Sequence, residues 1–324
     1  MLHGRRRTTT VPAVFLAAAV TLAVAGCSAG RGGEAAAAGP PPGTAAERPP
    51  SDPSGWTLPL MAYRPTEQQH STLVAAERSL VRACMKDFGL RWAPPADLPP
   101  LGPRNEMDWR YGIHDTAAAA TRGFQPDPAQ AARYEETLRA AQNAPRRSPD
   151  VEVVLGGSDL PPEALAAAGP EVRAGTFHGR KIPEDGCFGQ ARRRLGTETY
   201  GATALASGLF NRSFHEALKE PEVKAVFARW SACMKDKGFT YEDPVALFDD
   251  PRFGREPHPV THLETSTAVA DTACRGALRV AEVWHAAETR LQRRYVREHL
   301  AELKADRRSI DASVRNATEA LATG

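Results

Sequence analysis

The sequence lacks a strong net charge, and this absence excludes one class of partner. Its 324 residues carry 41 basic and 39 acidic side chains. Removal of residues 1–26, which contain three arginines and no acid, changes the net charge from +2 to −1. A chain without a basic surplus does not have the charge pattern of a nucleic-acid binder, so no nucleic-acid partner is expected. Hydrophobic residues make up 42% of the chain, which is enough for a core and excludes wholesale disorder.

The sequence also lacks the motifs of common catalytic and nucleotide-binding sites. It has no GxSxG nucleophile turn between a strand and a helix, no HExxH zinc motif, no GxxxxGK[ST] phosphate loop and no dinucleotide turn. No CxxC pair is present, which argues against a structural zinc site. The sequence therefore predicts no cofactor and favours a non-enzymatic binding or structural module. The alternative is an enzyme, acting on cell-wall or extracellular substrates, whose site assembles only in three dimensions.

The N-terminus has the pattern of a bacterial lipoprotein signal. Three arginines at residues 5–7 precede an apolar run at residues 11–25, which is short for a membrane-spanning helix of about 20 residues. Residues 24–27 (VAGC) resemble the lipobox, in which small residues precede a cysteine. The resemblance implies that residues 1–26 are a signal peptide and that Cys27 carries lipid. The chain would then be anchored to the extracytoplasmic face of the membrane; the alternative is an ordinary cleaved signal in which Cys27 is incidental.

A flexible tether is predicted after the lipidation site, at residues 27–58. Residues 28–55 are rich in Ala, Gly, Pro and Ser and contain no aromatic residue. Such a segment buries too little apolar area to offset the entropy lost on ordering. The tether would lift the folded part from the membrane into the envelope, where an envelope protein or the cell wall is the expected partner.

A five-residue motif occurs twice in the chain. Residues 83–87 (ACMKD) recur without change as residues 232–236, and a glycine follows each copy two positions later. Apolar residues at three- and four-residue steps predict a helix before each glycine, which suits a left-handed helix stop. The repeat predicts an internal duplication with two helical units, residues 59–205 and residues 206–324.

Four cysteines lie beyond the tether: Cys84, Cys187, Cys233 and Cys274. An even number outside the cytoplasm favours two disulfides, with three connectivities to choose from. One bridge in each copy is favoured, Cys84–Cys187 and Cys233–Cys274, because each repeated cysteine is followed by another that has an acid just upstream. The crossed pairing Cys84–Cys233 is the alternative. A metal or redox site is the functional alternative to structural disulfides.

The sequence resembles a known family in two linked features. A helix that ends in CMxxxG with an aromatic signature is followed, later in the chain, by a helix that contains a cysteine. Residues 110–113 (RYGI) and residues 186–193 (GCFGQARR) agree with it as well. The family comprises actinobacterial lipoproteins and secreted proteins, and the resemblance covers most of residues 70–300. It implies an exported helical domain and assigns no activity to any residue.

The remaining segments predict a mainly α fold with little or no sheet. Residues 129–142 have a helical pattern, whereas residues 151–155 (VEVVL) are the one convincing strand candidate. Residues 98–128, rich in Pro, Gly and Trp, predict an ordered loop. Residues 161–186 predict mostly loop around a short helix at residues 162–168.

The C-terminal stretch from about residue 261 to residue 321 contains no proline and one glycine. Apolar residues at steps of three, four and seven predict a long helix. This helix would run unbroken for about 90 Å or bend near residues 307–308. It either packs on the domain or projects to engage a partner or a second copy.

Two groups of side chains are candidates for a binding site. His258 and His262, with Glu264, have a spacing that suits a metal on a helix, but the prolines beside His258 favour a loop there. Four aromatic residues either line a groove for sugars or peptides or, as is commoner, pack in a helical core: Trp92, Trp109, Tyr111 and Phe124.

Overall fold

The computed structural model describes residues 50–253 and 259–323, and within them it is mainly helical. The signal segment and Cys27 lie outside the described residues. The helices are α1 (Glu67–Asp87), α2 (Thr116–Arg122), α3 (Pro128–Gln142), α4 (Pro149–Gly156), α5 (Pro162–Ala166), α6 (Pro170–Arg173), α7 (Gly186–Leu195), α8 (Ala204–Ala217), α9 (Pro221–Asp236), α10 (Pro244–Phe248), α11 (His262–Leu278), α12 (Val280–Glu298) and α13 (Leu300–Thr323). Strands β1 (Thr176–Phe177) and β2 (Arg180–Lys181) form an antiparallel hairpin. The predicted mainly α fold class is confirmed.

The two copies of the repeated motif end their helices in the same way. Gly89 follows α1 with φ of +71°, and Gly238 follows α9 with φ of +90°. In both copies the amide of the residue after the glycine donates to the carbonyl of the motif's methionine, Met85 or Met234, at 2.9 Å. This bond is the left-handed helix stop that the sequence predicts, and it satisfies a carbonyl that the helix itself leaves unpaired.

Each copy is also joined by a disulfide to a later helix. Cys84 of α1 is bonded to Cys187 of α7, with 5.7 Å between their Cα atoms. Cys233 of α9 is bonded to Cys274 of α11, with 5.9 Å between their Cα atoms. These are the two pairs that the sequence favours, one for each copy.

The largest hydrophobic cluster surrounds Trp230, which is fully buried. It brings together α8, α9, α11 and α12 with Leu60, Met107 and Tyr111 from the first part of the chain. A second cluster surrounds the Cys84–Cys187 bond and includes side chains of α1, α4 and α7. The division into units at residue 205 stays a prediction.

The strand predicted at residues 151–155 is wrong, because these residues lie in α4. Pro149 occupies the first turn of α4, and the Ser148 side chain accepts a hydrogen bond from the amide of Val151. Val153, Val154 and Leu155 are all buried. The segment VEVVL is rich in β-branched residues, and a short apolar run of this kind does not distinguish a short helix from a strand.

The two loops predicted in the first half contain more regular structure than expected. The segment at residues 98–128 includes α2, which begins after Asp115, whose side chain accepts from the amide of Ala118. The segment at residues 161–186 contains α5, which corresponds to the short helix predicted at residues 162–168, and in addition α6 and the β-hairpin. The predicted helix at residues 129–142 corresponds to α3 and is confirmed.

The C-terminal stretch forms three helices rather than one unbroken helix. Arg279 separates α11 from α12 in a left-handed conformation (φ 54°, ψ 46°), and His299 separates α12 from α13. Helix α13 runs through residues 307–308 without interruption. Helix α13 packs on α1 and α7, where Ser313 donates to the carbonyl of Gly196 at 3.0 Å. It therefore packs on the domain and does not project.

Candidate functional site

A cavity of about 610 Å³ lies between the segment around α2, the segment from α10 to Phe253, and helix α11. Cavities that hold small molecules in proteins span roughly 300–1,000 Å³ and are lined mainly by apolar side chains. Ten of the side chains that line this cavity are Leu, Ile, Pro, Phe or Trp. The cavity therefore has the size and the wall chemistry of a small-molecule site.

Aromatic rings form much of the cavity wall. Phe124, which follows α2, packs against Phe253, which follows α10, with 5.3 Å between their ring centroids. Trp109 packs close to Gly102. Phe248 is 66% exposed and Leu101 is 40% exposed, although both line the cavity. These two exposed side chains therefore mark its opening to solvent.

A buried ion pair on α11 supplies the polar part of the wall. Asp271 and Arg275 are one turn apart, and the Nε of Arg275 donates to Oδ1 and Oδ2 of Asp271 at 2.7 and 2.8 Å. The indole of Trp230 donates to Oδ1 of Asp271 at 2.9 Å. Burial raises the pKa of the Asp271 carboxyl, and the donors Arg275 and Trp230 oppose that rise.

The guanidinium of Arg275 is held in place from two sides. Its Nη1 donates to the carbonyl of Tyr111 at 2.5 Å, and its Cζ lies 5.9 Å from the ring centroid of Trp230. Gly112 has φ of +103°, and a Cβ there would collide with the guanidinium. Glycine is therefore required at residue 112 both for the backbone angle and for the close approach of Arg275.

The Nη2 of Arg275 differs from the other two guanidinium nitrogens. Among the residues that the structure describes, it has no hydrogen-bond partner, although the side chain is only 6% exposed. Arg275 lines the cavity. The site thus contains a buried cationic side chain with donor capacity that no protein group uses.

Asp250, a second buried carboxylate of the cavity, is fully occupied by protein donors. It accepts from the side chain and the backbone of Arg252 and, at 2.8 Å, from the hydroxyl of Tyr241. The hydrogen bonds from Arg252 hold the pKa of Asp250 at about 2. Burial and the bond to Asp250 raise the pKa of Tyr241 to about 12. Asp250 is therefore an ionised structural group with its oxygens engaged.

One cluster of metal-ligand types occurs among residues 50–253 and 259–323, outside the cavity wall. Oxygen or nitrogen atoms of Asp52, Asp108 and His114 lie within 4.8 Å of one another. Nη2 of Arg104 lies 2.7 Å from a carboxylate oxygen of Asp52 and 2.7 Å from one of Asp108. Burial disfavours the charged form of Asp108, but hydrogen bonds from Arg104 and His114 outweigh it and hold its pKa at about 2. The guanidinium thus takes the position that a cation would need.

Two of the three side chains that the sequence offers as a metal site, His262 and Glu264, lie in the described residues and differ in burial. His258 lies outside the described residues. His262 is exposed at the start of α11, whereas Glu264 is fully buried. Glu264 accepts hydrogen bonds from the amide of Phe124 at 3.2 Å and from the side chain of Gln125 at 3.1 Å. Glu264 therefore holds the end of α2 against α11.

The four candidate aromatic residues divide between the core and the cavity. Trp92 is buried beside the Cys84–Cys187 bond, and Tyr111 is fully buried in the largest cluster. Trp109 and Phe124 line the cavity. The groove hypothesis therefore agrees with the structure for two of the four residues, and the core hypothesis agrees for the other two.

Sequence reasoning missed the buried ion pair of Asp271 and Arg275 and the aromatic residues Phe248 and Phe253. The four-residue spacing of Asp271 and Arg275 was a usable signal, because opposite charges at that spacing meet on one helix face. Nothing local distinguishes this pair from a surface pair, since its burial depends on α9 and on the segment around Tyr111.

Comparisons with protein-family models, curated proteins and solved structures found no match for this chain. In the part of the chain that the structure describes, no helix is both long enough and apolar enough to cross a bilayer. The function is therefore inferred from the sequence pattern and from the geometry of the cavity.

Proposed function

We propose that the chain is a lipid-anchored binding module on the extracytoplasmic face of a cell envelope. The cavity of about 610 Å³ with its aromatic wall carries the binding part of this proposal. The lipobox pattern at Cys27 supports the anchor. The two disulfides support an oxidising compartment, because such bonds are rare in the cytoplasm. The resemblance to exported actinobacterial lipoproteins supports the same extracytoplasmic location.

A catalytic role is the less supported alternative. One common kind of hydrolytic site uses a carboxylate pair or a His–carboxylate pair that faces its substrate. Both buried carboxylates of the cavity, Asp250 and Asp271, are already bonded to an arginine. The His114–Asp108 pair is not among the residues that line the cavity. The geometry therefore favours binding without reaction.

The anchor is tested by metabolic labelling of cells with an alkynyl fatty acid. The wild-type chain is expected to take up the label, and Cys27→Ala is expected to remain unlabelled, because only the Cys27 thiolate is positioned to form the lipid thioether. Retention of the label by the variant would contradict lipidation at Cys27.

The cavity is tested with the chain from Ser28 onwards and the fluorophore 1-aminoanthracene. Binding is expected to increase the fluorescence, and Ile113→Trp is expected to weaken it by about tenfold or more, because the larger side chain fills space that the ligand needs. Leu321→Trp is the matched control, since Leu321 is exposed on α13 and lies outside the cavity. Equal binding by Ile113→Trp and the wild type would rule out this cavity as the site.

A further inference from the structure

We propose that the ligand of the cavity is an uncharged, mainly apolar ring compound whose carbonyl oxygen accepts hydrogen bonds from Nη2 of Arg275. This inference rests on the proposed binding function and specifies its ligand class. It depends on one juxtaposition: a mostly buried arginine, whose Nη2 has no acceptor among the described residues, lines a cavity that is otherwise mostly apolar and aromatic.

Nη2 of Arg275 has no acceptor among the described residues and is available to an acceptor atom of a ligand. A hydrogen bond between a ligand and a charged donor is stronger than one between neutral groups, and Nη2 of Arg275 is not among the fully buried atoms that lack a partner, so a ligand can reach it. The other two nitrogens of this guanidinium are bonded to Asp271 and to the carbonyl of Tyr111. The bonds to Asp271 and Tyr111 and the contact with Trp230 hold the guanidinium in place, and Arg275 lines the cavity, so Nη2 is a donor of fixed position.

The ligand is expected to accept rather than donate, because the buried acceptors of the cavity are occupied. Oδ1 of Asp271 accepts from Trp230 and Arg275, and Oδ2 accepts from Arg275. Both carboxylate oxygens of Asp250 accept from Arg252. A ligand donor would find only Oδ2 of Asp271 able to accept a second hydrogen bond, whereas a ligand acceptor finds Nη2 available.

The charge balance of the cavity favours an uncharged acceptor. Asp271 neutralises Arg275, and Arg252 neutralises Asp250. Asp249 also lines the cavity and is exposed, so it leaves the wall with a negative surplus. A carboxylate ligand would be repelled by this surplus, and an ammonium group has no acceptor atom for the hydrogen bond from Nη2. A carbonyl oxygen avoids both penalties.

The aromatic wall favours a ligand with a flat ring system. Trp109, Phe124 and Phe253 line the cavity, and Phe248 lies at its opening. Rings pack on such side chains in stacked or edge-to-face arrangements that add to the gain from apolar burial. The ring system would occupy the aromatic part of the cavity while its oxygen reaches α11.

A matched series of four naphthalene probes tests this inference on the chain from Ser28 onwards. The probes are 2-acetylnaphthalene, naphthalene, 2-naphthoate and 2-naphthylmethylammonium, which share one ring system and differ in their polar group. The ketone is expected to bind about 10- to 100-fold more tightly than naphthalene, which is the range for one hydrogen bond to a charged donor. The two charged probes are expected to bind more weakly than the ketone.

The role of Arg275 is tested with the double variant Asp271→Asn, Arg275→Met. Removing both charges leaves neither one buried alone, and the amide oxygen introduced at residue 271 still accepts from Trp230. The ketone and naphthalene are then expected to bind within about threefold of each other. The matched control is Arg307→Met, Asp311→Asn, which removes an ion pair with the same four-residue spacing on α13, outside the cavity wall, and is expected to keep the preference for the ketone.

The carbonyl stretching frequency of bound 2-acetylnaphthalene gives a readout on the wild-type chain that does not depend on any variant. A hydrogen bond from Arg275 is expected to lower this frequency relative to the ketone in an apolar solvent. An unshifted band, equal binding of ketone and naphthalene, or tighter binding of either charged probe would overturn the ligand class while leaving the binding function intact. Failure of all four probes to bind would count against the proposed function itself.

Discussion

Replacing Cys84 and Cys187 together by alanine is expected to lower the free energy of unfolding by about 5 kcal/mol. The bond closes a loop of 103 residues, and its loss releases the unfolded chain from that constraint, which favours unfolding by this amount on the chain-entropy model. The shorter loop of 41 residues between Cys233 and Cys274 predicts a loss of about 4 kcal/mol for its own double replacement. Urea unfolding at neutral pH measures both values.

Reduction of the wild-type chain provides the control for these variants. A reducing agent is expected to destabilise the wild type by breaking both bonds and to destabilise each double variant only by breaking the bond that remains. A loss below about 1 kcal/mol in either variant would show that the unfolded chain is restricted by other means. Peptide mapping without reduction would separately reveal the crossed pairing of Cys84 with Cys233.

Glu288→Ala is expected to destabilise the fold by about 3–5 kcal/mol, because it leaves a buried arginine without its counter-charge. Glu288 is fully buried on α12. Its carboxylate accepts from Nε of Arg110 at 2.9 Å, from the hydroxyl of Tyr111 at 2.8 Å and from Ser213 at 2.7 Å. Nη2 of Arg110 and the amide of Gln292 also donate to it.

Two variants separate the charge of Glu288 from the general effect of mutating α12. Glu288→Gln keeps the size and one acceptor oxygen, so it is expected to lose less stability than Glu288→Ala. Glu298→Ala removes a half-exposed carboxylate from the same helix and is expected to change stability by no more than about 0.5 kcal/mol. Chemical unfolding measures all three, and equal effects for residues 288 and 298 would contradict the role assigned to the buried network.

The binding site could be predicted only in part from the sequence, as its individual residues illustrate. Trp109 and Phe124 were recognisable as aromatic candidates, but the sequence does not distinguish them from Trp92 and Tyr111, which pack in the cores. Whether an aromatic side chain faces a cavity or a core depends on which helices pack against it. Arg275 illustrates the same limit, because its burial depends on contacts with residues more than 40 positions away.

The sequence by itself determined the features that depend on neighbouring residues. The repeated motif predicted both glycine helix stops, because a left-handed residue after the last turn satisfies local carbonyls. Cysteine order and the repeat favoured the two bonded pairs. The mainly α class followed from the spacing of apolar residues, which reports the helix period directly.

Only the tertiary structure decided the features that depend on distant residues. It made residues 149–156 a buried helix, divided the C-terminal stretch at Arg279 and His299, and packed α13 on α1 and α7. It also formed the cavity, which combines three segments that are far apart in the chain. The physical reason is that burial and cavity formation depend on long-range packing, whereas helix stops depend on hydrogen bonds within a few residues.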